Sequence, residues 1–300
     1  MTSIASQLIT SATLGKETDP SKTDSRFNLG ALLAFLALSY GLSWAWVIPQ
    51  AAMGRTVVQG HGWPTHFPSL LGPMLAAFIV TAWTMGRVGL RDLLRRMGRW
   101  QIGWRWWLMA LSPLAFLGSA VVVVAATGGT VPASGEFAQF SGLPSGIGIV
   151  GVVLLIVVVG GFGEETGWRG YALPQLQKRF TPLTSTVILA GCWAAWHIPL
   201  FFTLRSYKGF SLVTGFGFLF ALTCGAVVAT WLYNRTGGSI LAVVVWHGIY
   251  NTVGGTKAAT DGPGTIAAVV STLIMMQALL LVGLEIRATR HGSPSILGPT

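Results

Sequence analysis

Charged residues are scarce in this 300-residue chain, because Asp, Glu, Lys and Arg together make up only 9% of it. A typical soluble domain carries about 25% charged residues, so the composition argues against a soluble globular protein. A disordered chain is excluded as well, since 52% of the residues are hydrophobic. The mean hydropathy of +0.63 agrees with the remaining interpretation, an integral membrane protein.

Cysteine and acidic residues are also few. Cys192 and Cys224 both lie in apolar runs, so they form neither a disulfide framework nor a CxxC metal motif. The 19 basic residues exceed the nine acidic ones and give a net charge of +10. In a soluble protein this excess would indicate nucleic-acid binding. Here the basic residues separate apolar runs, where they set membrane orientation, and we expect no nucleic-acid partner.

A membrane-crossing helix needs about 20 predominantly apolar residues. Eight runs of this kind lie at approximately 30–50, 67–86, 106–126, 145–163, 183–204, 210–233, 239–256 and 264–286. The predicted fold is therefore an all-α polytopic transmembrane bundle of about eight spans, with membrane lipids as its surroundings. We divide the chain into a flexible polar tail (1–28), N-terminal spans (29–144), a core that carries the polar motifs (145–256) and a final helix with its tail (257–300).

A basic segment at about 87–105 separates the second and third runs. Its apolar residues recur at helical spacing and its arginines follow another face, with Leu90, Leu93, Leu94 and Met97 on the first and Arg91, Arg95 and Arg99 on the second. This pattern predicts a helix lying on anionic lipid headgroups. A basic helix packed on the protein itself is the alternative.

The distribution of basic residues predicts the orientation. With eight spans, 15 of the 19 Lys and Arg lie on the side of the two termini, and four lie on the other side: Arg55, Arg205, Lys208 and Lys257. Cytoplasmic loops carry the Lys and Arg excess. We therefore expect both termini in the cytoplasm of a prokaryotic cell.

Two adjacent glutamates, Glu164 and Glu165, end the fourth run. A charge at mid-bilayer costs about 2.5–3.5 kcal/mol on insertion scales, so such residues usually face the protein interior and have a function. Arg169 follows Glu165 at the favourable i,i+4 spacing, while Glu164 points about 100° away on a helix. One carboxylate can thus be paired while the other is free for chemistry. The alternative is that the span ends earlier and both glutamates lie in a water-exposed loop.

Two histidines lie inside apolar runs. His197 precedes Pro199, which should kink the fifth helix and expose backbone groups that line a polar cavity. His247 and Asn251 are four residues apart, on one face of the seventh helix. Taken singly, each could be a structural contact between helices. Together with Glu164, they are the groups that activate water and stabilise an oxyanion.

These residues form three motifs that resemble those of the CPBP family of intramembrane proteases, which includes CAAX prenyl endopeptidases and bacteriocin self-immunity proteins. The family pattern is EExxxR, an aromatic residue four positions before a His, and HxxxN or HxxxD. The matching segments are Glu164-Glu165-Thr-Gly-Trp-Arg169, Trp193-Ala-Ala-Trp-His197 and His247-Gly-Ile-Tyr-Asn251. Trp193 stands where Phe is usual. The resemblance covers about 145–255.

The resemblance implies an all-helical core with a membrane-embedded catalytic cavity that hydrolyses peptide bonds. The implied substrate is a peptide or protein with a membrane-associated C-terminal segment, including CAAX-type prenylated ones. Glu164 would be the general base and His197 would help to hold the water. His247 and Asn251 would stabilise the oxyanion.

In the same scheme, Glu165 and Arg169 would be the orienting pair. The resemblance leaves metal dependence open. Glu164, His197 and His247 could bind Zn²⁺ with water as the fourth ligand. The chain has no HExxH segment, so the zincin arrangement is absent, and a carboxylate–imidazole mechanism needs the same residues without metal.

Other functional classes use the same polar residues. A binding or immunity protein could share the fold without catalysis. An ion or proton transporter could use Glu164 and the two histidines as a relay. A haem protein could use His197 and His247 as axial ligands.

Overall fold

The structure is a computed structural model and describes residues 26–260 and 265–299. Apolar runs in lipid must satisfy their backbone hydrogen bonds internally, which favours helices. The main helices are α1 (Leu29–Ala52), α2 (Gly72–Met97), α3 (Trp104–Ala110), α4 (Ser112–Ala126), α5 (Ser145–Gln177), α6 (Pro182–Trp196), α7 (Leu212–Arg235), α8 (Ile240–Gly255) and α9 (Thr265–Arg290). Most of the predicted polar tail lies outside the described residues.

Most of these helices can cross a membrane by their length and composition. In the described parts of the chain, six qualify: α1, α2 with the turn before it, α5, α6 with the turn after it, α7 and α9. The pair α3 and α4, bent by 47°, makes a seventh if it is one span, and α8 is a shorter apolar helix. The predicted all-helical bundle is confirmed, with a number of spans close to the predicted eight.

Two predicted spans differ from the observed helices. The fourth was expected to end near residue 163, whereas α5 continues to Gln177. The third was expected to be continuous, but it breaks at Leu111, before a proline in the first turn of α4. Pro113 lacks a backbone N–H and cannot bond to the carbonyl four residues before it, which explains this break.

The basic segment is helical as far as Met97, as the last part of α2, and its final residues begin α3 at Trp104. Gly86 has φ 57° and ψ −150°, a conformation that favours glycine, and it separates this segment from the first part of α2. Leu93 is buried, and Arg96 donates hydrogen bonds to a backbone carbonyl of α5 and a tyrosine of α7. One face therefore packs on the protein, while Arg91 and Arg95 stay exposed.

Helix α5 lies in the middle of the bundle and packs against α2 and α8. Helix α6 packs against α7, and α9 packs against α4 and α7. At the end of the bundle away from the termini, isolated backbone bridges join the loops at Val57–Leu204, Gln59–Ser141 and Phe140–Thr256. This packing brings the motif-bearing helices α5, α6 and α8 side by side.

Candidate active site

The two adjacent glutamates lie inside α5 and not in a loop. Their segment, Phe162–Gly167, is α-helical and lies between two π-helical stretches, Ile156–Gly161 and Trp168–Ala172. Glu164 is 4% exposed and Glu165 is fully buried. The alternative of a water-exposed loop is therefore wrong. π-Helical turns are rare and occur frequently at functional sites, and buried carboxylates need partners.

Glu165 has two basic partners on one of its oxygens. Arg169 Nη1 donates to Glu165 Oε1 at 2.8 Å, as the i,i+4 spacing predicts. His247 Nδ1, from α8, lies 2.7 Å from the same oxygen. Both Glu165 and Arg169 are completely buried, so this pairing compensates charges that water cannot reach. The arginine was predictable from its spacing, whereas the histidine comes from a different helix.

Glu164 contacts a different helix from Glu165. Its Oε2 accepts a hydrogen bond of 2.7 Å from the indole Nε1 of Trp193 on α6. The side chain of Trp193 is itself buried, with 7% of the residue exposed. The two neighbouring carboxylates are thus held by separate sets of partners and can have separate roles.

His197 lies where the geometry of the fifth span changes. Helix α6 ends at Trp196, and a 3-10 turn, Ile198–Phe202, follows with Pro199 near its start. The His197 Nδ1 lies 2.7 Å from the backbone carbonyl of Trp193. Because a carbonyl only accepts, Nδ1 carries the hydrogen, and Nε2 of the neutral ring is an acceptor. The helix changes from α to 3-10 geometry next to Pro199, and the histidine bonds to its own helix.

His247 and Asn251 contact each other on α8. The His247 Nε2 and the Asn251 Nδ2 are 3.0 Å apart. The Nδ1 of His247 faces the carboxylate of Glu165 and carries the hydrogen. In the neutral ring the Nε2 of His247 therefore has no hydrogen, and it accepts from the Asn251 amide. The His–Asn pair is therefore connected to the EExxxR segment through Glu165.

Trp193 lies at the centre of the predicted residues. Its ring centroid is 4.4 Å from the guanidinium carbon of Arg169, 5.4 Å from the His247 ring and 5.8 Å from the His197 ring. Direct contacts therefore join all six predicted residues: Glu164, Glu165, Arg169, His197, His247 and Asn251. The indole contacts both imidazoles, so it occupies space that a haem ring between them would need.

The predicted zinc ligands do not have the arrangement of a metal site. Among the residues that the structure describes, no group of three His, Cys, Asp or Glu side chains could hold a metal ion. Protein partners already occupy His197 Nδ1, His247 Nδ1 and Glu164 Oε2. The residues as they are placed do not fit a zinc centre.

Two further polar residues near the site were not predicted. His66 is 7% exposed, and burial lowers its pKa to about 4, with a further contribution from His197. Burial raises the pKa of the Tyr207 hydroxyl above its usual range, and the charge of Glu164 adds to this effect. Both residues lie in connections between spans, where no helical spacing marks them.

An apolar cavity of about 340 Å³ adjoins His197. Its lining includes Ala194, Ile198, Phe201, Phe210, Phe218 and Leu219. The ring of Phe218 is 5.5 Å from the ring of His197. A bulky apolar group could therefore bind within reach of the polar cluster.

Comparison with known proteins adds an independent line of support. Residues 146–253 match the profile of the Rce1-like type II CAAX prenyl endopeptidases. A CAAX prenyl protease 2 from Methanococcus maripaludis is 25% identical over 191 residues, which cover 61% of this chain and 69% of that protein. The matched range contains all six convergent residues.

Proposed function

We propose that the chain is a membrane peptidase of the CPBP family, and that it hydrolyses a peptide bond of a membrane-anchored substrate by means of water activated by Glu164. The convergence of three motifs on one buried cluster supports this proposal. Helices α5, α6 and α8 supply a carboxylate, two imidazoles and an amide within one set of contacts. This set can move a proton and stabilise an oxyanion.

Glu164 is the proposed general base. The indole of Trp193 engages Oε2, and a carboxylate has a second oxygen that can take a proton from water. The Nε2 of His197 is an acceptor in the neutral ring and can hold the second hydrogen of that water. The activated water then attacks the scissile carbonyl carbon. When the tetrahedral intermediate collapses, the C–N bond breaks and the protonated Glu164 gives its proton to the leaving amine.

His247 and Asn251 are the proposed oxyanion donors. The Asn251 amide carries two hydrogens, of which one faces His247 Nε2 and the other can donate to the oxyanion. If His247 takes up a second proton, the Asn251 amide turns away from Nε2, which then donates to the oxyanion, and Glu165 beside Nδ1 stabilises the cation. Arg169 holds Glu165 in place for this role.

The proposed substrate carries a bulky apolar group next to the scissile bond. The aromatic-lined cavity beside His197 supports this, because it offers an apolar surface at the polar cluster. The name of the archaeal relative indicates a prenylated substrate for that protein. We extend this to prenylated or otherwise lipid-anchored peptides here.

We further propose that both termini are cytoplasmic in a prokaryotic membrane. Four basic residues, Arg55, Arg205, Lys208 and Lys257, lie at the opposite end, whereas most of the others lie at the terminal end. In this orientation the apolar cavity lies in the outer half of the bilayer, since the end of α6 and the start of α7 line it. A C-terminal GFP fusion should fluoresce, and one lacking fluorescence would contradict this orientation.

The decisive experiment compares cleavage of prenylated and unprenylated peptides by wild type, Glu164→Gln and the loop variant Glu136→Gln. Loss of a general base lowers rates by about 10²–10⁴-fold, so only Glu164→Gln should lose activity, at an unchanged melting temperature. Normal cleavage by Glu164→Gln would overturn the mechanism.

Two other outcomes would redirect the assignment. Protection of cells by the inactive Glu164→Gln protein would favour a binding or immunity role. Ion flux in proteoliposomes that depends on Glu164 would favour a transporter.

A further inference from the structure

Trp193, the aromatic residue of the second motif, lies between the residues that are proposed for catalysis. Its side chain contacts Glu164, Arg169, His197 and His247. We propose that the indole N–H of Trp193 is the positioning group that fixes the carboxylate of Glu164 for water activation. This inference rests on the proposed function of Glu164.

The geometry shows how the indole can fix the carboxylate of Glu164. A glutamate has three rotatable side-chain bonds, so its carboxylate must be held from outside if it is to stay aligned. The 2.7 Å hydrogen bond from Nε1 to Oε2 fixes one oxygen. A donor to a carboxylate also stabilises its charged form, which is the form that acts as a base.

The indole is itself held on several sides. Arg169 lies over its ring at 4.4 Å, which favours a cation–π interaction, and the His247 ring meets it nearly edge-on at 86°. Glu165 binds both of these groups. Packed side chains therefore connect the carboxylate of Glu165 to that of Glu164 by way of the indole. The positions of Arg169 and His247 fix the indole, and the indole fixes the carboxylate of Glu164.

One substitution distinguishes the effect of the indole N–H from the effect of the aromatic ring. Trp193→Phe keeps an aromatic ring in the same place but removes the donor. The contact between His197 and the backbone carbonyl of residue 193 does not depend on the side chain, so it stays. Trp196→Phe is the matched control for a smaller ring beside His197. Trp196 lies on the same helix at 2% exposure and its ring is 4.9 Å from that of His197, but within the described residues its Nε1 has no acceptor.

Kinetics test the role in catalysis. A hydrogen bond to a charged group is worth about one to two factors of ten, so Trp193→Phe should lower kcat about tenfold or more with little change in KM. The acidic limb of its pH profile of kcat/KM should move to higher pH, because the charged carboxylate has lost a donor. Trp196→Phe should leave both features unchanged. An unmoved pH profile in Trp193→Phe would overturn the proposal.

A spectroscopic measurement tests the contact without any activity. In protein with ¹⁵N-labelled indoles, the Trp193 resonance is identified among the 13 tryptophans by its absence from Trp193→Phe. It should shift in Glu164→Gln, and the Trp196 resonance should shift much less. A Trp193 resonance that does not respond to Glu164→Gln would refute the positioning role. A clear response in a protein that cleaves no peptide would instead refute the proposed function and leave the contact intact.

Discussion

Replacing Arg169 with methionine tests whether the buried charge network stabilises the fold. Arg169 is fully buried and neutralises Glu165 at 2.8 Å. Breaking a buried ion pair from one side costs about 3–5 kcal/mol because it leaves an uncompensated charge. We expect about 3 kcal/mol, since His247 remains 2.7 Å from the same oxygen. Loss of the cation–π contact with Trp193 adds about 1 kcal/mol.

This loss should be visible as a lower melting temperature in detergent. At about 2–4 °C per kcal/mol for a chain of this size, Arg169→Met should melt about 8–16 °C below wild type. Unfolding can be followed with a thiol-reactive dye, because Cys224 is buried in the folded protein and becomes reactive when the bundle opens. The matched control is Arg95→Met, whose salt bridge to Asp92 has an arginine side chain that is 68% exposed. Exposed pairs contribute about 0–1 kcal/mol, so this variant should melt close to wild type.

A double variant distinguishes loss of charge pairing from loss of packing. In Glu165→Gln with Arg169→Met, the uncompensated carboxylate is gone, so part of the stability should return. Contacting residues in one network couple by about 0.5–3 kcal/mol. If Arg169→Met melts within about 2 °C of wild type, or if the effects of the two substitutions simply add, the network does not stabilise the fold as argued.

Two further substitutions test packing and protonation. A Cβ on Gly163 would collide with the backbone oxygen of Leu70, so Gly163→Ala should destabilise by about 1–3 kcal/mol. Gly191 has open space around it, so Gly191→Ala should be neutral or slightly stabilising. Equal melting temperatures of these two variants would contradict the close approach. The pKa of buried His66 is about 4 against an ordinary 6.5, so the unfolded chain binds more protons and stability should fall as pH drops from about 6.5 to 4. His66→Gln should weaken this fall in melting temperatures measured at pH 7, 5.5 and 4.5, and an unchanged slope would show that another group causes it.

Some of the site was predictable because helical periodicity is a local property. The pairing of Glu165 with Arg169 and the contact between His247 and Asn251 both follow from i,i+4 spacing on a helix. The proline-linked change at His197 follows from local backbone chemistry as well. None of these contacts requires knowledge of which helices are neighbours.

The wrong end of the fourth span has a different cause, because it depends on contacts between helices. The fourth span was bounded near residue 163 because the apolar run stops there, and a water-exposed loop carrying both glutamates was the alternative. In the fold, His247 and Trp193 arrive from other helices and satisfy Glu165 and Glu164 inside the protein. Helix α5 can then continue through them.

The amino-acid sequence by itself determined that the chain is a helical membrane bundle, since lipid selects for apolar length and that is a property of composition. It also determined which residues share a helix face. Only the tertiary structure decided that the Trp193 indole meets Glu164 and that His247 meets Glu165. Those contacts depend on how α5, α6 and α8 cross, and the crossing is set by side-chain packing across the whole bundle.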